Sequence, residues 1–112
     1  MAETQNIEYK SSWRDEYLKW ICGFANAQGG TLFIGKDDIG NIVGIENSKK
    51  LMEDLPNKIT TILGIIADVN LHKTSQGGYI EITVEPQPNP VNYKGEYHFR
   101  SAVQSRNLKV RL

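Results

Sequence analysis

Four carboxylates, Glu3, Glu8, Asp37 and Asp38, are the residues of this chain best suited to chemistry. A hard divalent ion such as Mg²⁺ or Mn²⁺ asks for several carboxylate oxygens, and an ion so held can activate water against a phosphodiester. The four converge if the strand carrying Glu8 lies beside the strand that ends at Gly35. Glu8 and Lys10 alternate with Tyr9, so a strand points both to one face. A carboxylate ligand beside a positioning lysine is the arrangement expected of many metal-dependent nucleases. Glu3 and Glu8 are an odd number of residues apart and converge only if the chain bends before Ile7. On the residues alone the plainer reading is preferred: Asp37 and Asp38 form a turn, and Glu8–Lys10 is a surface ion pair.

Other chemistries fare worse. Gly29-Gly30 follows a helix, whereas a phosphate cradle precedes one, and neither a Lys-Ser/Thr pair nor a GxGxxG run is present. Cys22 is the single cysteine, which excludes disulfides and a cysteine-based zinc site. Nothing in the sequence pairs it with His72 or His98, and its place beside an apolar stripe reads as packing. The Trp13/Trp20 stripe reads as core, not as a base-stacking platform.

These residues sit in a chain of 112, enough for one domain and one core. Thirteen basic residues balance thirteen acidic ones, which argues against a strong nonspecific nucleic-acid binder. From Tyr93 onward the balance is basic: Lys94, Arg100, Arg106, Lys109 and Arg111 against Glu96. No stretch is apolar enough to span a membrane, no secretory leader opens the chain, and a cytoplasmic location fits.

The elements that must position the carboxylates follow from periodicity. Ile7–Lys10 alternates as a strand does. Ser12 with Asp15 resembles a capping box, and Trp13, Tyr17, Trp20, Ile21 and Phe24 form one helical stripe ended by Gly29 and Gly30. Thr31–Ile34 is continuously apolar and is expected to be a central strand covered on both faces. Asp38–Asn41 is a turn, with Ile42–Ile45 returning as its hairpin partner. Asn47 is placed to cap a second helix carrying Leu51, Leu55, Ile59 and Leu63, with a kink or break at Leu55 before Pro56. Tyr79–Val84 alternates as a half-buried strand. Lys94-Gly95 turns a last hairpin, in which Tyr97 and Phe99 share one face and Glu96, His98 and Arg100 the other.

Glu3 and Glu8-Tyr9-Lys10, a helix ending FANAQGG, then TLFIGKDDIGNIVGI and the closing VNYKGEYHFRS resemble the AlbA-like domain of the Schlafen family, over nearly the whole chain. The resemblance implies an α+β AlbA-like single domain, a mixed or antiparallel sheet packed with two helices, over residues 1–112. Residues 101–112 are expected to be a tail or the start of a further region. Bacterial members are described as DNA-binding domains of transcriptional regulators, which makes nucleic acid the expected partner, DNA ahead of RNA, with no cofactor. Phosphate contacts are expected at Lys10, Lys36, Lys94, His98, Arg100 and Arg106. In animal Schlafen nucleases two glutamates and an aspartate hold a metal and cleave structured RNA. The motif places that set at Glu3, Glu8 and Asp38, so a Mg²⁺- or Mn²⁺-dependent endoribonuclease is the alternative. A homodimer formed through exposed hairpin edges is the third reading. Lys36 stands where relatives often carry valine, and it puts a positive charge beside the acidic turn.

Overall fold

The computed structural model describes residues 6–101 and 106–111. Ile7–Lys10 forms β1 and Gly30–Ile34 forms β2, paired in parallel with Glu8 opposite Leu32 and Lys10 opposite Ile34. Parallel neighbours require a crossover. It is supplied by a 3-10 turn at Asp15–Tyr17 and helix α1 at Leu18–Ala25. Helix α2 spans Ser48–Lys58 and continues into a π turn at Ile59–Leu63. Asp68–Thr74 and Gly77–Val84 form the hairpin β3–β4, and β4 lies antiparallel to β2. The sheet order is therefore β1-β2-β4-β3, mixed and packed with two helices, as expected.

Directly paired residues share a sheet face. Leu32, Ile82 and Val69 form one row with Glu8, and Ile34, Ile80 and Leu71 form the next with Lys10. Helix α1 lays Leu18, Ile21, Phe24 and Ala25 on this face, and α2 adds Leu51 and Leu55, continued by Ile59 and Leu63. No described helix is long and apolar enough to cross a membrane.

A second, two-stranded sheet pairs β5, Glu96–Ser101, with β6, Arg106–Arg111. The turn before it is as expected. Tyr93 and Glu96 exchange both backbone hydrogen bonds, and Lys94 and Gly95 both take positive φ, the geometry of a two-residue hairpin turn. Asn26, within the FANAQGG run, docks this segment on α1. Its amide nitrogen donates to the carbonyls of Val91 (2.6 Å) and His98 (2.9 Å), and its amide oxygen accepts from the Val91 N–H (2.7 Å).

Several expectations are corrected. The helix begins at Leu18 without a Ser12 cap, because Asp15 instead accepts from the Trp13 indole (2.7 Å) and the Lys58 ammonium (2.8 Å). Trp13, Tyr17 and Trp20 are half-buried at the rim, while Leu18, Cys22 and Ala25 join Ile21 and Phe24 inside. Ile42–Ile45 is no strand, since β1 and β4 already occupy both edges of β2; a single bridge from Lys36 to Ile42 remains. Asn47 makes no side-chain cap, and α2 runs through Pro56. Strand β3 has no counterpart among the sequence expectations. Strand β2 is central, but only Leu32 and Ile34 are buried; Thr31 and Phe33 lie half-open on the face away from the helices.

Candidate functional site

Glu8 and Lys10 project from β1 toward α1, and the two are in contact, Lys10 Nζ to Glu8 Oε2 at 3.2 Å. The other carboxylate oxygen, Oε1, accepts from Arg100 Nη1 at 2.7 Å. Arg100 also donates from Nη2 to the Ile7 carbonyl at 2.9 Å. Its side chain has no exposed surface, and Glu8 keeps only 3%. A buried pair of this kind holds only while each partner compensates the other's desolvation.

Beside the pair lies the Trp20 indole, half-buried at the edge of α1. Three cations stand over it: Lys10 Nζ at 5.1 Å, Arg100 Cζ at 5.3 Å and Lys19 Nζ at 5.7 Å from the ring centre. All three lie within cation–π range. Sequence reading missed Lys19 and misplaced Trp20 in the core; the Lys19-Trp20 neighbour pair ahead of FANAQGG was the available signal.

The remaining residues named from the sequence disperse. His98 faces inward on β5, 6% exposed. Glu96 Oε1 is 3.4 Å from its Nε2, an ion-pair separation without the alignment of a hydrogen bond. Burial holds its pKa below the ordinary histidine value despite the opposing pull of Glu96. Arg100 and His98 are thus turned away from any phosphate at the surface. Lys94 is exposed at the hairpin turn, over the Tyr93 ring at 5.3 Å. Lys36 lies on the far side of the sheet, over Phe33 at 4.1 Å and Tyr79 at 4.3 Å. Arg106 opens β6 opposite Ser101.

Asp37 is a turn former. Its Oδ1 accepts the backbone N–H groups of Asn41 (2.9 Å) and Ile39 (3.1 Å), and these bonds, led by that of Asn41, hold its pKa below the usual carboxylate value. Asp38 is exposed on the same turn. Glu3 lies outside the described residues, among which no three of His, Cys, Asp and Glu gather as a metal site. Cys22 is buried against the Val91 carbonyl, Sγ to O 3.2 Å, and burial pushes its pKa up, which leaves it a poor nucleophile.

A model of the family "Schlafen, AlbA_2" matches residues 3–109. Among solved structures, the DIP2311 protein of Corynebacterium diphtheriae superposes with a TM-score of 0.74 at 20% identity, over 93% of this chain. The chain spans 22% of that protein's length. The N-terminal domain of a RecG-related protein from Nitrosomonas europaea superposes with a TM-score of 0.70 at 18% identity, covering 100% of this chain and 81% of that one. At these identities the likeness establishes the fold. No curated protein sequence matches.

Proposed function

Because the chain belongs to the Schlafen, AlbA_2 family, we propose that it is a nucleic-acid-binding module of a transcriptional regulator, with DNA ahead of RNA as its ligand. The observation that carries the reading is the half-exposed Trp20 indole set among Lys10, Lys19 and Arg100. Lysine ammonium groups attract phosphates, and an aromatic ring beside them offers a base or sugar a surface to pack on. Arg100 serves indirectly: it fixes Glu8, which in turn holds Lys10 beside the ring. The description of the Nitrosomonas protein as related to the ATP-dependent DNA helicase RecG fits a nucleic-acid setting. With formal net charge zero, affinity must come from this local patch rather than from a global field.

The described part of the Glu3, Glu8, Asp38 set does not fit a metal. Lys10 and Arg100 already engage both oxygens of Glu8, where an ion would have to compete with them.

The test is fluorescence anisotropy of labelled DNA duplex and structured RNA over a range of salt, with Trp20 emission followed in parallel. Affinity is expected to fall as salt rises, and Lys19→Ala is expected to weaken it while leaving the melting temperature unchanged. Absence of any binding at low salt would remove the reading. Cleavage of the RNA that needs Mn²⁺, stops with EDTA and is lost in Glu8→Gln would replace it with the endoribonuclease.

A further inference from the structure

The face of the four-stranded sheet away from both helices carries a row of rings, one from each strand in spatial order. Tyr9 on β1 lies 5.6 Å from Phe33 on β2, Phe33 lies 6.1 Å from Tyr79 on β4, and Tyr79 stacks on His72 of β3 at 4.9 Å and 21°. Tyr9 is buried, while Phe33, Tyr79 and His72 are half-exposed. Packing does not demand such a row. The main core cluster lies on the other face, on Leu32, Ile34, Ile80 and Ile82, and Tyr9 alone of the four rings is buried; a wet sheet face ordinarily alternates to polar residues. Thr31 and Thr83 follow that rule on the same two central strands; Phe33 and Tyr79 depart from it.

Lys36 lies over the middle of the row, its Nζ 4.1 Å from Phe33 and 4.3 Å from Tyr79. Among the described residues it has no carboxylate partner. His72 is held by Glu81, Nε2 to Oε1 2.9 Å; Glu81 stands opposite Phe33 in the pairing register, and the exposed Asp68, opposite Thr83, lies farther along the same face. The surface thus combines flat apolar rings with a lysine on a flexible stem that no carboxylate among the described residues engages.

We infer that this row is a stacking platform for single-stranded nucleic acid, with bases laid on Phe33, Tyr79 and His72 and Lys36 swinging from the rings to a backbone phosphate. Four-stranded sheets and other single-strand binders use this combination, because every base has a π face and only an unpaired strand can turn its bases toward a flat protein surface. A duplex keeps its bases stacked on one another and has nothing to offer the rings. The charge complementarity of Lys36 to phosphate selects this occupant over a second copy of the chain, which would bring its own lysine against the first. The inference rests on the nucleic-acid-binding reading and adds a second surface and a strand preference to it.

The experiment is an NMR titration of the intact chain with an unstructured thymidine strand of about ten nucleotides and, separately, with a duplex. The single strand is expected to shift the resonances of Phe33, Tyr79 and His72 and the amides of β2 and β4. Tyr79→Leu, checked for unchanged secondary structure, is expected to weaken single-strand binding about tenfold and leave duplex binding unchanged. Lys36→Met should lower the salt dependence of single-strand binding by about one phosphate contact. Because Lys36 lies outside the core, this variant keeps the test open should Tyr79→Leu unfold. Shifts confined to Trp20, Lys19 and Lys10 would overturn the platform and leave the binding function standing. No shift with either nucleic acid would remove both. Ring shifts that depend on protein concentration without ligand would assign the face to a second copy and overturn the inference.

Discussion

Arg100 Nη1 donates to Glu8 Oε1 at 2.7 Å, tying β5 to β1 across 92 residues of chain with both side chains buried. The two strands lie in different sheets, so this ion pair is a covalently unsupported link between them. It also places the Arg100 guanidinium over Phe24 at 5.1 Å and Trp20 at 5.3 Å, joining the core to the rim of the candidate interface.

Removing Glu8 leaves Arg100 charged and dry, and removing Arg100 leaves the buried Glu8 with Lys10 as its remaining ion-pair partner. Arg100→Ala and Glu8→Ala are each expected to destabilise the fold by about 3–5 kcal/mol, measured by urea unfolding. The double variant is expected to lose much less than the sum, because it leaves no orphan charge. Additive losses would show that the two side chains act independently. For nuclease assays Glu8→Gln is the better control, since it removes the charge but keeps an oxygen for Arg100.

Asn26 links α1 to the 91–98 segment. Asn26→Ala deletes its three side-chain hydrogen bonds to Val91 and His98. The expected loss is about 1–3 kcal/mol, because the backbone groups it satisfies are left without that partner. Hydrogen exchange should accelerate first in β5 and the turn before it, ahead of β2 and β4. Uniform acceleration across the sheet would show that Asn26 supports the whole fold and not this docking.

His98 makes stability fall on acidification. Burial depresses its folded pKa below the unfolded value; Lys19 from α1 and Lys109 from β6 push the same way, against Glu96 on its own strand. A depressed histidine pKa means that the unfolded state binds the proton more readily. Its stabilising contribution is full above the ordinary histidine pKa of about 6.5 and is lost as pH falls from there through the folded value. Melting temperatures recorded downward from pH 8 should therefore drop in this window, and His98→Gln should flatten the drop. An equal drop in the variant would assign the effect to other groups.

Cys22 is expected to be inert in the folded protein. Its thiol is buried and its pKa is raised by that burial. A disulfide reagent at pH 8 should label it only in denaturant. Labelling of the native protein at the rate of a free thiol would mean that α1 opens from the 91–98 segment.

What depends on near neighbours was legible in the residues alone. Alternation placed Glu8 and Lys10 on one face of a strand, the Lys94-Gly95 pair made a hairpin turn, Asp37 closed the acidic turn and Cys22 packed inside. Each of these needs only a repeat period or a local backbone conformation. Which face of an element becomes buried is a different matter, because it depends on what arrives from elsewhere in the chain. On β5 the face with Tyr97 and Phe99 is half-open, and the face with His98 and Arg100 is buried, because β5 packs on α1 and Glu8 neutralises the arginine. Asn26 in FANAQGG has no visible purpose until residues 91–98 fold back onto it. The apolar run Thr31–Ile34 promised burial on both faces, yet the helices cover only one, and Phe33 is left to the ring row. These points arise only when the chain folds back on itself, since desolvation is a property of the assembled neighbourhood and no single stretch of sequence contains it.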